Sequence, residues 1–127
     1  MSAVMCPCGS GRALEACCGR WHAGAPAPDA ESLMRSRYSA FVLGLEAYLL
    51  ATWHPDTRPA GLELDAPPRS QWQGLAIKAH TPLDDSHATV EFVARYKLNG
   101  RAFKLHETSR FERVDGRWLY VDGGIHE

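Results

Sequence analysis

The first half of the chain carries hydrophobic residues at helical spacing. Between residues 33 and 53 they recur at steps of three and four, which places them on one face of an α-helix. They are Leu33, Met34, Tyr38, Phe41, Val42, Leu45, Tyr48, Leu49 and Trp53. Asp29 is the expected N-cap, Gly44 a natural bend, and His54-Pro55 the end of the run, because a residue before proline avoids the α-helical region. The pattern predicts one long amphipathic helix with a kink, or two helices.

From residue 72 onwards, hydrophobic and polar residues alternate, as they do in β-strands with one buried face. The alternation predicts strands at about 72–80, 86–98, 101–113 and 117–122. Asn99-Gly100 and Asp115-Gly116 are pairs typical of two-residue hairpin turns, so the last three strands should be antiparallel neighbours. An irregular loop is predicted at residues 55–70, which contain Pro55, Pro59, Pro67 and Pro68.

A helical layer followed by an antiparallel sheet predicts an α+β fold, with the helices packed on one face of the sheet. A chain of 127 residues that is 45% hydrophobic is long enough for one such core and a small appendage. The second and third strands would supply the sheet half of the core with Val90, Phe92, Ala94, Tyr96, Phe103, Leu105 and Phe111.

The net charge and the hydrophobic pattern argue against nucleic acid and membranes as partners. A formal net charge of −1 gives no basic surplus that would attract nucleic acid, so we do not expect nucleic acid as a partner. Residues 1–5 contain no basic segment followed by an apolar run, and no stretch approaches the roughly 20 apolar residues of a membrane span. We expect a cytoplasmic protein with no membrane partner, in a compartment that keeps thiols reduced.

The chain divides into three segments by composition. Every cysteine lies in residues 1–22, residues 23–30 resemble a short stiff connector with two prolines, and residues 31–127 form the main domain. The cysteines are Cys6, Cys8, Cys17 and Cys18. Four thiolates at this spacing can surround one zinc ion, and four protein donors leave no coordination position for water. We therefore predict a structural zinc knuckle.

The local sequence also predicts how this knuckle folds. Ser10 is the expected N-cap of a short helix at 11–18, whose last turn carries the second cysteine pair, and Gly19 is its expected end. Three alternatives remain: reduced thiols without a ligand, a disulfide or redox couple, and a zinc site in which His22 replaces one cysteine. Paired cysteines at metal spacing in an intracellular chain favour zinc with all four thiolates.

A second candidate site centres on a carboxylate in an apolar strand. Alternation places Glu107 and Ser109 on the core-facing side of the third strand. A buried carboxylate needs a cation or a cavity open to water, so we expect a bidentate pair between Glu107 and Arg37 or Arg35. The pair would either fix the helix against the sheet or form the floor of a pocket.

In the pocket hypothesis, Glu107 acts as a base or hydrogen-bond acceptor for a bound molecule. The predicted pocket residues are Arg35, Arg37, Tyr38, His54, Glu107, Ser109 and Asp122. His106 and Arg110 alternate to the opposite face, where we expect exposure to solvent. The tryptophans are interpreted as packing residues, because no strand interleaves aromatic and basic residues in an RNA-binding pattern.

The cysteine segment resembles the SEC-C motif, the zinc knuckle at the C-terminus of the SecA translocation ATPase and in other bacterial proteins. The resemblance is carried by Cys-Pro-Cys-Gly-Ser-Gly at 6–11 and Cys-Cys-Gly at 17–19. In SecA the last ligand is usually histidine, whereas this chain has Cys18. The segment between the ligand pairs lacks the lysines of SecA, so the resemblance implies the metal role without the SecA partners.

The rest of the chain resembles the YchJ-like family. The stretches that carry the resemblance are 33–41, 52–55, 92–96, 106–111 and 118–123, and together with the knuckle they extend from Cys6 to Gly123. The family joins a SEC-C knuckle to a domain similar to nuclear transport factor 2, a cone in which a curved sheet wraps around helices. Some members carry a second knuckle at the C-terminus, which this sequence lacks. The resemblance implies this architecture and no particular reaction.

Two functions fit these observations. The first is a protein-binding or adaptor module that uses the knuckle surface around Arg12, Leu14 and Trp21. The second is a small-molecule carrier or enzyme that uses the cone pocket around Glu107. An adaptor requires an exposed knuckle surface, whereas a carrier or enzyme requires an accessible cavity.

Overall fold

Helices occupy the first half of the chain and strands the second. The structure, a computed structural model, describes residues 4–62, 64 and 70–126, so Pro67 and Pro68 of the predicted loop lie outside the described residues. The helical elements are a 3₁₀ turn at Leu14–Ala16, α1 at Cys18–His22, α2 at Ala30–Leu43 and α3 at Glu46–Ala51. The strands are β1 at Gln71–Pro82, β2 at His87–Leu98, β3 at Arg101–Val114 and β4 at Arg117–Ile125. Among the described residues, no helix combines the length and hydropathy of a membrane span.

The bounds of α2 follow the predicted signals. The Asp29 carboxylate accepts a hydrogen bond from the Ser32 amide at 2.7 Å, and Gly44 ends the helix in the left-handed region at φ +74°. The result is a pair of helices with the bend at Gly44, one of the two predicted arrangements. Val42 is 39% exposed despite its place in the predicted apolar stripe, because it lies in the last turn of α2.

Helix α2 is buried on more than the one face that periodicity predicts. Polar Ser36, Arg37 and Ser39 are as inaccessible as the apolar residues of the helix. The reason is that α2 contacts α1 as well as β1, β2 and β4. It is the central element of the molecule, between the cysteine segment and the sheet.

The strands form one antiparallel sheet in the order β1-β2-β3-β4. Both predicted hairpin turns are present, with Asn99 at φ 52° and Asp115 at φ 51°, each followed by a glycine with positive φ as a type I′ turn requires. Register shifts interrupt the β1–β2 pairing after Trp72 and Ile77, and the β3–β4 pairing at Arg110/Phe111. Such bulges increase the local twist, which suits a sheet that wraps around a helix.

The core lies between α2 and the concave face of the sheet. Leu33, Val90, Phe92 and Phe111 belong to the buried cluster there, in agreement with the predicted α+β arrangement. The predicted core residue Phe103 is instead 40% exposed, because it lies at the outer end of the β2–β3 hairpin, where its ring stacks on Tyr96.

Candidate functional site

The four cysteines come together beside α2. All four are buried, and their Sγ atoms lie within 4.8 Å of one another. Cys6 and Cys8 lie in a tight hook, held by a 2.9 Å hydrogen bond from the Cys6 amide to the Arg12 carbonyl. The second pair meets this hook at the start of α1, where Cys17 is the N-cap and Cys18 the first helical residue. This cluster is compatible with binding one metal ion.

The helix of the knuckle differs from the predicted one. A 3₁₀ turn and α1 replace the predicted helix at 11–18, and Cys17 separates them with φ −126° and ψ −116°. Gly19 therefore lies inside α1 instead of ending it. A Cβ at Gly19 would lie 2.7 Å from the Leu14 carbonyl oxygen, so glycine is needed there for close packing of the two turns.

Neighbouring polar groups surround the thiols. The Ser10 hydroxyl lies 3.2 Å from Cys17 Sγ, and the Ser39 hydroxyl of α2 lies 3.5 Å from Cys6 Sγ. Contact with the Cys18 thiol lowers the pKa of Cys8 to about 4, whereas the same contact, together with burial, raises the pKa of Cys18. A cluster that stabilises a thiolate in this way is chemically suited to a cation.

The histidine considered as an alternative ligand faces away from the thiols. His22 Nε2 lies 2.9 Å from the Ser36 carbonyl oxygen, and the ring packs edge-on against Tyr48 with centroids 4.7 Å apart. Within the described part of the chain, His22 does not belong to the cysteine group. It contributes instead to the contact between α1 and α2.

A cavity of about 160 Å³ opens between α2 and the sheet. Its wall is mostly aromatic and aliphatic, with a few charged and polar groups. The lining residues are Met34, Arg37, Tyr38, Phe41, Trp53, Trp72, Phe92, Ala94, Leu105, Glu107, Ser109 and Tyr120. Four predicted pocket residues, Arg37, Tyr38, Glu107 and Ser109, are among them.

Arg37 is the buried cation of this cavity, with 3% of its surface exposed. Its Nη1 donates to the Leu49 carbonyl at 2.8 Å and to the Thr52 hydroxyl at 2.7 Å. The guanidinium carbon lies 5.0 Å from the centre of the Trp53 ring and 4.7 Å from that of Tyr120. Burial lowers the pKa of Arg37 to about 10, so the group remains charged at neutral pH.

Glu107 supplies the negative charge of the cavity. Its carboxylate accepts a hydrogen bond from the Ser109 hydroxyl and lies directly over Gly123 of β4. The predicted bidentate pair is not formed: across the described residues, the ion pairs include none between Glu107 and Arg35 or Arg37. The hydrogen-bond partner of the Glu107 carboxylate is the Ser109 hydroxyl and not the predicted arginine.

The other predicted pocket residues lie elsewhere. The Arg35 guanidinium binds Glu31 at 3.2 Å and donates to the Cys8 carbonyl at 3.0 Å, beside the knuckle. His54 Nε2 lies 3.2 Å from Glu112, and Asp122 pairs with Arg110 on the exposed face. The bulge at Arg110/Phe111 changes the β3–β4 register close to Asp122, which simple alternation cannot predict.

Two aromatic residues of the cavity wall were not predicted as pocket residues. Trp53 was predicted only as a packing residue, and Tyr120 was given no role. Trp53 and Tyr120 form an isolated parallel bridge, and their rings meet edge to face at 5.0 Å. Trp53 Nε1 is buried and has no hydrogen-bond partner among the described residues. No local signal indicates this bridge, because it joins the end of the helical segment to the last strand.

Comparison with known proteins agrees with this architecture. Residues 29–123 match the family described as YchJ, middle NTF2-like domain, and residues 5–20 match the SEC-C motif. A UPF0225 protein from Bordetella parapertussis is 63% identical over 98% of this chain and 95% of its own length. A UPF0225 protein from Ralstonia nicotianae is 58% identical over 94% of this chain and 90% of its own length.

Two solved structures share the whole fold. The solution structure of a SEC-C motif containing protein from Rhodopseudomonas palustris has a TM-score of 0.85 and 32% identity, over 96% of this chain and 98% of its own. The crystal structure of a SEC-C motif containing protein from Psychrobacter arcticus has a TM-score of 0.80 and 32% identity, over 96% of this chain and 82% of its own. The chain therefore belongs to the YchJ-like family of UPF0225 proteins, in which a SEC-C motif precedes an NTF2-like domain.

Proposed function

We propose that the protein binds a small molecule in the cavity beside Arg37 and Glu107, and that a zinc ion held by the four cysteines fixes the helix on which the cavity depends. The observation that carries the proposal is the presence of two opposite charges in the cavity wall. Arg37 and Glu107 line the cavity with opposite charges, and among the described residues they form no ion pair with each other. A few charged groups in a mostly apolar wall are typical of a ligand site.

Zinc is supported by the distances between the thiols. Tetrahedral zinc with Zn–S bonds of about 2.3 Å places its sulfur ligands about 3.8 Å apart. Cys8 Sγ and Cys17 Sγ are 3.7 Å apart, and the other sulfur pairs fall within 4.8 Å. Four buried thiolates would fill the coordination shell, so the ion would be structural. The hydroxyls of Ser10 and Ser39 can donate to the sulfurs and offset part of the site's negative charge.

The knuckle and the cavity share helix α2. Ser39 contacts Cys6, Arg35 donates to the Cys8 carbonyl, and the Ser36 carbonyl contacts His22. Arg37 and Tyr38, between these positions in sequence, line the cavity. A metal that holds the knuckle in place would therefore also hold the cavity side of α2, which gives the knuckle an architectural role.

The cavity limits the size and chemistry of the ligand. A dry cavity of about 150 Å³ in another protein accommodates benzene, so about 160 Å³ suits a single ring or a short branched chain. The aromatic wall favours an apolar body. An oxygen acceptor on the ligand would meet the Arg37 guanidinium, and a donor beside it would meet the Glu107 carboxylate. A primary amide on a small ring combines both groups.

The test compares benzene, benzoate and benzamide as probes by ligand-observed NMR and thermal shift. We expect the amide to bind the wild type more tightly than the other two probes and to raise its melting temperature. Glu107→Gln should weaken the binding of benzamide, whereas Lys104→Gln, an exposed change on the same strand, should leave it unchanged. Equal binding of benzamide to all three proteins, or no binding of any probe, would refute the cavity proposal.

The adaptor function is a second candidate because part of the knuckle surface is apolar and exposed. Val4 is 69% and Met5 57% exposed, and Arg12 nearby is also exposed, whereas Leu14 and Trp21 pack against the core. The test is whether a partner captured by the wild type is lost with Met5→Ser while the metal content of the knuckle stays unchanged. A partner retained by this variant would exclude this surface as its binding site.

A further inference from the structure

A second group of metal-ligating side chains lies on the outer face of the sheet. Glu91 of β2 and His106 of β3 alternate with the core-facing residues, and His126 follows the end of β4. One ligand atom from each of the three lies within 4.8 Å of the other two. The group shares no residue with the cysteine cluster or with the cavity.

The backbone fixes this arrangement. The register of β2 and β3 pairs His106 with Val93 and Glu91 with Thr108, so Glu91 and His106 are diagonal neighbours on one face. Their side chains meet with His106 Nε2 2.7 Å from Glu91 Oε2. The His126 amide donates to the His106 carbonyl at 2.8 Å, which continues the sheet beyond β4 and holds the second imidazole over the first.

The two imidazoles are stacked, with centroids 4.1 Å apart and an angle of 17° between the rings. His126 Nε2 also lies 2.6 Å from the Thr108 hydroxyl, so a neighbouring group can orient this ring. The two imidazoles and the carboxylate bring three nitrogen and oxygen donors into a small volume. Because an imidazole binds a metal in the plane of its ring, the exposed His126 ring would turn out of the stack to share an ion with His106. Two histidines and one carboxylate are a common ligand set for divalent transition metals.

Solvent access distinguishes this group from the cysteine cluster. The side chains of His106 and Glu91 are 38% and 35% exposed. A bound ion would therefore keep positions for water, whereas four cysteines would close the shell. A bound ion would replace the Glu91–His106 contact, because the His106 nitrogen and the Glu91 carboxylate would each bind the metal instead of each other.

We propose that Glu91, His106 and His126 form a second metal site, with an open shell, for a divalent transition ion of the zinc or nickel class. The ion would bind at the point where β2, β3 and the end of β4 meet. Because its ligands come from three successive segments of the sheet, it would cross-link them. The proposal is independent of the ligand proposed for the cavity.

The test uses the full chain, free of any affinity tag, with its cysteine site loaded beforehand. Titration with Zn²⁺ or Ni²⁺, followed by native mass spectrometry, should show one ion in addition to the single ion held by the cysteines. His106→Gln and His126→Gln should each weaken the added ion by at least about ten-fold, because even loss of a group that only orients a ligand costs this much. His87→Gln, on an exposed hairpin, should leave binding unchanged.

NMR line broadening by Ni²⁺ distinguishes binding at the proposed site from weak binding at surface histidines. Paramagnetic Ni²⁺ should broaden the ring signals of His106 and His126 before those of His87. His126→Gln lies at the end of β4 and leaves the Glu91–His106 contact in place, so it provides a variant with little risk of misfolding. Absence of an added ion in the wild type, or equal affinity in His87→Gln and His106→Gln, would refute the second site.

Discussion

The place of the Glu107 carboxylate is decided by a residue with no side chain. Gly123 lies opposite Ser109 in the β3–β4 register, and the Glu107 side chain crosses over its Cα. A Cβ at this position would overlap the carboxyl group, so the carboxylate could not remain where it is. Glycine at position 123 is thus part of the cavity, although it supplies no functional group.

Gly123→Ala is expected to displace the Glu107 carboxylate. Because this group is the end of a flexible side chain, the loss in free energy of unfolding should lie at the low end of the range for overpacking, about 1 kcal/mol. Gly124→Ala is the matched control, because a Cβ there would have no neighbour within 4 Å. Chemical denaturation measures the stability of both variants, and carbon-detected NMR follows the Glu107 carboxyl signal. Equal stability of the two variants, with an unmoved Glu107 signal, would contradict this view of Gly123.

Tyr120 should titrate later than an ordinary tyrosine. Burial, and next the Glu107 carboxylate, raise the pKa of Tyr120 to about 12. The unfolded chain would ionise this phenol near the ordinary tyrosine pKa of 10.0, so its contribution to stability is complete below pH 10 and is lost as the pH rises towards 12. Absorbance at alkaline pH measures the phenolate. Glu107→Gln should lower the pKa of Tyr120, and an unchanged titration would contradict the coupling.

At the scale of elements, α2 connects the cysteine cluster with the cavity. One part of its surface meets the cysteine hook through Arg35 and Ser39, and another meets the sheet through Tyr38, whose ring packs edge-on against Trp72 at 5.8 Å. This double burial explains why small polar residues such as Ser36 are found at buried positions of α2. It also means that the ends of α2 matter to both sites.

Asp29→Ala removes the side-chain cap of α2 and should cost about 1 kcal/mol of stability. The Asp29 carboxylate satisfies the Ser32 amide, which lacks a partner within the helix. Asp85→Ala, in the exposed β1–β2 turn, removes a carboxylate with no structural role of this kind and is the control. Urea denaturation measures the stability of both variants. Equal midpoints for Asp29→Ala and Asp85→Ala would contradict a stabilising role for the Asp29 cap.

Elements with local signals could be predicted from the sequence, and contacts between distant elements could not. Asp29, Gly44 and the two Asx-Gly turns fix the ends of helices and strands through their own backbone preferences. The place of Arg37 depends instead on the bridge between Trp53 and Tyr120, which joins residues far apart in sequence. For the same reason, alternation correctly placed Glu107 on the inner face but could not identify Ser109 as its partner.

At the scale of the whole molecule, the knuckle and the NTF2-like domain share one buried cluster. All four cysteines belong to the same set of packed residues as Leu33 of α2 and Phe92 of β2. Leu14 and Trp21 pack against this set from the knuckle side. Where two parts of a chain share a core, neither can unfold without exposing the apolar surface of the other.

Removal of the zinc proposed for the knuckle should therefore destabilise the NTF2-like domain as well. A loss of about 3 kcal/mol in a chain of this size lowers the melting temperature by roughly 10 °C, and we expect at least this shift on chelation or with Cys8→Ser. Ser10→Ala is the milder control, since it removes only a hydroxyl beside Cys17.

Tryptophan fluorescence and metal release, both followed during heating, decide between one cooperative unit and two. In a single unit, the tryptophan signal from Trp53 and Trp72 in the cavity wall changes at the same temperature as the metal is released, and both move together in Cys8→Ser. In two units, the cavity tryptophans keep their transition temperature after the metal is removed. The second result would mean that the contacts of Arg35, Ser36 and Ser39 with the knuckle contribute little to stability, and that the position of α2 is fixed by the sheet alone.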